Sequence, residues 1–99
     1  MKRVVLLLVI SSLTLVAFNG EKAYNQCAMC HGKKAEKVAL NSSPILNTFN
    51  EKDLTSSIKS LLDGSSDISS RYLGMHKVKL KGVLEDDAQK LSKYILELK

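Results

Sequence analysis

Tryptophan is absent, cysteine and histidine occur twice each and proline once in the 99 residues, and each scarcity removes a class of protein. Two cysteines cannot build the multi-disulfide framework that staples many small secreted domains. Structural zinc takes four ligands, usually from two pairs; one Cys-x-x-Cys pair and a distant second histidine, His76, fit that poorly. No internal repeat or low-complexity block is present, and one small domain accounts for the length. Lys and Arg number 15 against 10 Asp and Glu, and without Lys2 and Arg3 the balance is 13 to 10, too slight for a nucleic-acid binder. The apolar run Val4 to Ile10 is far shorter than the roughly 20 residues of a membrane span. Beyond residue 20 the aromatic side chains are Tyr24, Phe49, Tyr72 and Tyr94. About 80 residues with so few large side chains build an apolar core that is only marginally stabilising. Something other than side chains is expected to fill the middle.

What is present begins with Lys2-Arg3, the apolar run, and then Ser11-Ser12-Leu13-Thr14-Leu15-Val16-Ala17. Charge, apolar stretch and small residues in that order mark a secretory signal peptide. We expect a signal over residues 1–20, cleaved after Ala17 or Gly20, and a folded domain over 21–99. An uncleaved anchor is the alternative. Both place the folded part outside the cytoplasm, in the periplasm for a bacterial chain.

Cys27-Ala28-Met29-Cys30-His31 organises the rest. On one helical turn positions 27, 30 and 31 share a face. The spacing matches the c-type haem attachment signature, with two thiols for thioether bonds to the haem vinyl groups and one imidazole for the iron. A Cys27–Cys30 disulfide would close too small a loop to stabilise a fold. Thioredoxin-like exchange would call for a βαβ pattern, which the chain lacks.

The elements are read as all-α. A first helix starts near Gly20, carries Cys27 to His31 at its end, and is stopped by Gly32 in the left-handed conformation. Residues 33–43 read as loop with Ala35, Val38, Ala39 and Leu40 leaning on the core, followed by a turn at Asn41-Ser42-Ser43-Pro44. Asn50 caps a helix over Glu51 to Leu62, with Phe49 and Leu54 spaced as a hydrophobic staple and Leu54, Ile58, Leu61 and Leu62 forming one stripe. Asp63-Gly64 ends it. Residues 64–82 read as an extended loop with Val78 and Leu80 inward. A last helix over Glu85 to Lys99, expected to be the longest, places Ala88, Leu91, Tyr94, Ile95 and Leu98 on one face, with acids leading as the helix dipole favours.

An iron held by His31 needs a sixth ligand or leaves an open site. Met29 is pinned between the two cysteines, so Met75 and its neighbour His76 are the candidates; a thioether raises the potential and a second imidazole lowers it. Lys33, Lys34 and Lys37 follow the attachment motif, and Lys77, Lys79 and Lys81 follow Met75. Around an exposed haem edge these six would steer an acidic redox partner. A solvated lysine surface with no task is the plain alternative.

Gly20 and Tyr24 ahead of the motif, Pro44 followed by Leu46, Met75, and Leu91, Tyr94 and Ile95 in the last helix together resemble the class I cytochromes c. The small single-haem bacterial periplasmic type is the most similar. The resemblance spans nearly the whole chain after the signal. It implies three to four short helices wrapped around one covalent haem c, held by Cys27 and Cys30 with His31 as proximal ligand. It further implies that the Pro44 carbonyl orients His31, that Met75 is the distal ligand, and that Gly20 packs on Tyr94. By the same resemblance the protein is a monomeric electron carrier, not an enzyme, that makes transient contact with membrane-bound respiratory complexes. A haem protein with an open sixth site, acting as a peroxidase, gas binder or sensor, is the rival. The chain departs from the pattern in Leu73-Gly74-Met75-His76, where many relatives have proline beside the methionine. It also has Leu84 where they cap the last helix with a polar residue.

Overall fold

The computed structural model describes residues 18–41 and 43–99; the signal peptide expected over residues 1–20 lies outside them up to Ala17, as does Ser42 of the expected turn. Four α-helices appear there and no strand: α1 (Gly20–His31), α2 (Glu51–Asp63), α3 (Ser70–Lys79) and α4 (Ala88–Glu97). Short 3-10 turns at Ala39–Asn41, Leu46–Thr48 and Glu85–Asp87 join them.

Asn19 caps α1, its Oδ1 accepting the Lys22 N–H at 2.9 Å. Gly32 ends the helix and donates its N–H to the Ala28 carbonyl at 2.8 Å. Its φ of +92° and ψ of 161° differ from the expected left-handed helical pair and fall in a region open almost only to glycine. The Glu36 carboxylate lies where a Cβ would stand, a flexible tip that could move aside, so it is the backbone conformation that demands glycine.

The loop that follows is tied back at three points: Lys37 N–H to the His31 carbonyl at 2.9 Å, Asn47 N–H to the Ala35 carbonyl at 3.1 Å, and Asn47 Nδ2 to the Lys34 carbonyl at 3.0 Å. Ala35 and Ala39 are buried as expected, whereas Val38 and Leu40 are exposed. Leu40 stands at φ 52°, ψ 30°, a left-handed conformation that turns its side chain away from the core.

In α2 the Asn50 cap forms as expected, Oδ1 accepting the Asp53 N–H at 2.7 Å, and Gly64 closes the helix at φ 82°, ψ 7°. Leu54 and Ile58 are buried, with Leu61 and Leu62 half-buried beside them.

The extended loop expected over 64–82 is corrected: ten of its residues form α3, and Val78 lies 70% exposed rather than inward. Leu80, at its end, is buried as expected. Ser69 supplies the cap, its Oγ accepting the Tyr72 N–H at 3.4 Å. The helix has no buried residue, so the apolar period that betrays the other helices is missing.

The last helix is also corrected, since α4 has 10 residues against 13 in α2 and 12 in α1. Leu84 has no side-chain acceptor for the cap; instead Asp87 Oδ2 accepts the Leu84 N–H at 3.0 Å and the acidic residues wind as a tight 3-10 turn first. Ala88, Leu91 and Ile95 are buried and Tyr94 and Leu98 half-buried. Ser92, wholly buried, donates its hydroxyl to the Ala88 carbonyl at 3.0 Å.

Helix α4 packs on both α1 and α2, and α3 packs on α2. The α1–α4 crossing closes at Gly20, where a Cβ would stand 2.9 Å from Tyr94 Cβ and Cγ. Tyr24 stacks obliquely on Tyr94 there, ring centroids 6.3 Å apart. Tyr24, Leu54, Ile58, Leu80, Ala88, Leu91 and Ile95 form the core this leaves. Each buried Leu or Ile in it contributes roughly 1.5–3 kcal/mol.

Candidate functional site

Helix α1 delivers Cys27, Cys30 and His31 to one wall of an apolar cleft of about 200 Å³, and Met75 and His76 face it from α3. A second cleft of about 500 Å³ adjoins the first, sharing Cys27, His31, Pro44, Ile68, His76 and Leu80 and running to Leu54, Ile58, Leu91 and Ile95 in the core. The larger alone falls in the roughly 300–1,000 Å³ range of cofactor sites. The space that scarce aromatics leave in the middle of the molecule is therefore real, and it opens on the attachment motif.

The side chains fit a covalent haem. Both cysteines are free thiols, half-buried. Burial pushes the Cys27 thiol up to about 11, with Cys30 adding to the effect and Lys79 opposing it. A redox-exchange nucleophile needs a depressed pKa, the opposite of what burial does to Cys27. His31 is 8% exposed, and burial first, then His76, holds its imidazole below the usual histidine range. A neutral imidazole is the form that ligates a metal. His31 Nδ1 is buried without a hydrogen-bond partner among the protein atoms. Pro44 lines both clefts beside it, but its carbonyl accepts from Ser43 Oγ at 3.1 Å.

Sequence reading placed Met75 on a loop; it stands on α3, 40% exposed, with Tyr72, Met75, His76 and Lys79 lining the smaller cleft. Those positions step i, i+3, i+4, i+7, the helical stripe that an apolar scan misses because its members are chemically mixed. Leu40, expected to lean on the core, and Ile68, which was not singled out from sequence, also line this cleft. Of the six lysines expected around the haem edge, all are exposed, and Lys79 is the one that lines the cleft. Among the described residues no helix is long and apolar enough to cross a membrane, and no group of three or more His, Cys, Asp or Glu gathers as a metal site.

Comparison with known proteins gives a consistent result. Residues 17–99 match the family model "Cytochrome c". Cytochrome c-553 of Helicobacter pylori strain ATCC 700392 / 26695 is 32% identical over 101 residues, covering the whole of both chains. Cytochrome c-553 of strain J99 is 30% identical with the same coverage. No solved structure matches.

Proposed function

The chain belongs to the cytochrome c family, whose members hold one covalent haem c, and from that premise we propose that it is a periplasmic one-electron carrier between respiratory redox complexes, not an enzyme. Bound haem c supplies the single-electron ferric/ferrous couple. Cys27 and Cys30 would hold it through thioethers and His31 Nε2 would ligate its iron, while the Pro44 carbonyl would accept a hydrogen bond from His31 Nδ1–H, the atom without a partner among the protein atoms. Met75 Sδ would be the second protein ligand, a soft thioether that would favour the ferrous state and raise the potential.

One observation carries this reading: Cys27, Cys30 and His31 of α1 face Met75 of α3 across a single apolar cleft. With His31 and Met75 both ligating, the metal would offer no site to a substrate. Met75 and Lys79 line the cleft and are exposed, and at this edge an electron would pass to a partner. Lys79 at that edge, with Lys33, Lys34, Lys37, Lys77 and Lys81 exposed, gives a positive field that speeds encounter with an acidic partner. The 40% exposure of Met75 is what favours the rival, a labile sixth site for peroxide or a gas. Carbon monoxide mixing with the reduced protein at neutral pH separates the two. Slow or absent binding is expected of the carrier, and rapid binding would establish the open site.

A further inference from the structure

His76 lines both clefts with His31, and the ligand set above leaves it without a task. The two ring centroids are 6.4 Å apart, with 47° between the planes. Two imidazoles on opposite sides of one metal ion, each bound at about 2.0–2.1 Å, have ring centres roughly 6.3–6.5 Å apart. The angle between the planes does not alter that spacing, because each ring can turn about its own metal–nitrogen axis.

The rest of the His76 ring is arranged for the same purpose. Its Nδ1 lies 2.8 Å from the Tyr72 carbonyl oxygen. A carbonyl only accepts, so Nδ1 bears the proton, and in the neutral ring Nε2 keeps a bare lone pair. Metal-bound histidines are held in this way, the second nitrogen donating to a backbone carbonyl. His76 is half-buried while Met75 is exposed, so the imidazole lies deeper than the thioether.

We propose that His76 is a second sixth ligand of the haem iron, binding through Nε2 whenever Met75 leaves, so that the site passes between a His31/Met75 and a His31/His76 pair. The proposal rests on the haem-carrier reading. In the exchange one iron–sulfur bond breaks as one iron–nitrogen bond forms, and neither an electron nor a proton leaves the site. The two residues are consecutive on α3, which has no buried side chain and has open space around Gly74, so a turn of this helix accomplishes the swap without rebuilding the core. The His31/His76 state has the lower potential.

The test compares haem-loaded wild type with Met75→Leu, His76→Gln and the double variant; Leu keeps the volume of Met and cannot ligate. M75L is expected to remain six-coordinate and low-spin, to lose the sulfur-to-iron charge-transfer band, and to have a potential below wild type. The double variant should lose the low-spin spectrum and bind carbon monoxide rapidly when reduced, while H76Q alone keeps the wild-type spectrum. Met75→Ala, made in parallel, gives the same readout should Leu disturb packing. A high-spin M75L or M75A that binds carbon monoxide as fast as the double variant overturns the proposal and leaves the carrier reading intact. Wild type without covalent haem overturns both.

Discussion

The Tyr24 hydroxyl donates to the Gly32 carbonyl at 2.6 Å and so ties the middle of α1 to its last turn, beside His31. Tyr24→Phe removes this buried hydrogen bond and leaves the carbonyl with the Ala35 N–H alone, at 3.2 Å, at a cost of roughly 0.5–1.5 kcal/mol, to be read from urea unfolding at neutral pH. Burial, then the Cys27 and Glu36 charges, push the tyrosine up to about 12, against an ordinary 10.0. A folded-state value above the unfolded one means that the contribution of Tyr24 is complete below pH 10 and fades as pH rises toward 12. The gap between wild type and Y24F should therefore narrow across that window, and a gap that widens would contradict the assignment. At the other end of α1, Gly20→Ala drives a Cβ against Tyr94 and should cost about 1–3 kcal/mol in the same assay. The packing of Gly20 on Tyr94 was legible beforehand only through the family resemblance, since neither periodicity nor spacing marks a close helix crossing.

Helix α2 could be read from residues because cap, stripe and terminal glycine agree in Asn50, Leu54 with Ile58, and Gly64, whereas α1 was legible from the attachment motif and the stop at Gly32. Helix α3 escaped because its organising stripe of Tyr72, Met75, His76 and Lys79 faces a cofactor cleft, and Gly74 in its midst reads as loop. The cap Ser69 was the available signal. For α4 the stripe was clear and the length was not, because Leu84 gives the backbone nothing to start on and three acidic residues wind first as a 3-10 turn. The start of α1 bears on processing. Phe18 packs against the core, Asn19 caps the helix and Gly20 seats Tyr94, so cleavage after Gly20 would remove all three. Cleavage after Ala17 keeps them, and intact-mass measurement of exported protein is expected to give a chain beginning at Phe18; one beginning at Glu21 would refute this.

At the scale of the molecule, the core is built from a few aliphatic side chains and Tyr24, with two connected clefts where a larger domain would have more residues. The fold should depend on what fills them. Cys27→Ala with Cys30→Ala, which prevents covalent loading, is expected to lower the helical circular dichroism signal and abolish a sharp thermal transition. An unchanged transition would mean that the side chains suffice. The most direct measurement of the whole reading is the optical spectrum of exported protein, oxidised and reduced, with a pyridine haemochrome assay on the same sample. Expected are one covalent haem c per chain, low-spin iron in both states, and a sulfur-to-iron band when oxidised. A chain without covalent haem, or with high-spin iron at neutral pH, would contradict it.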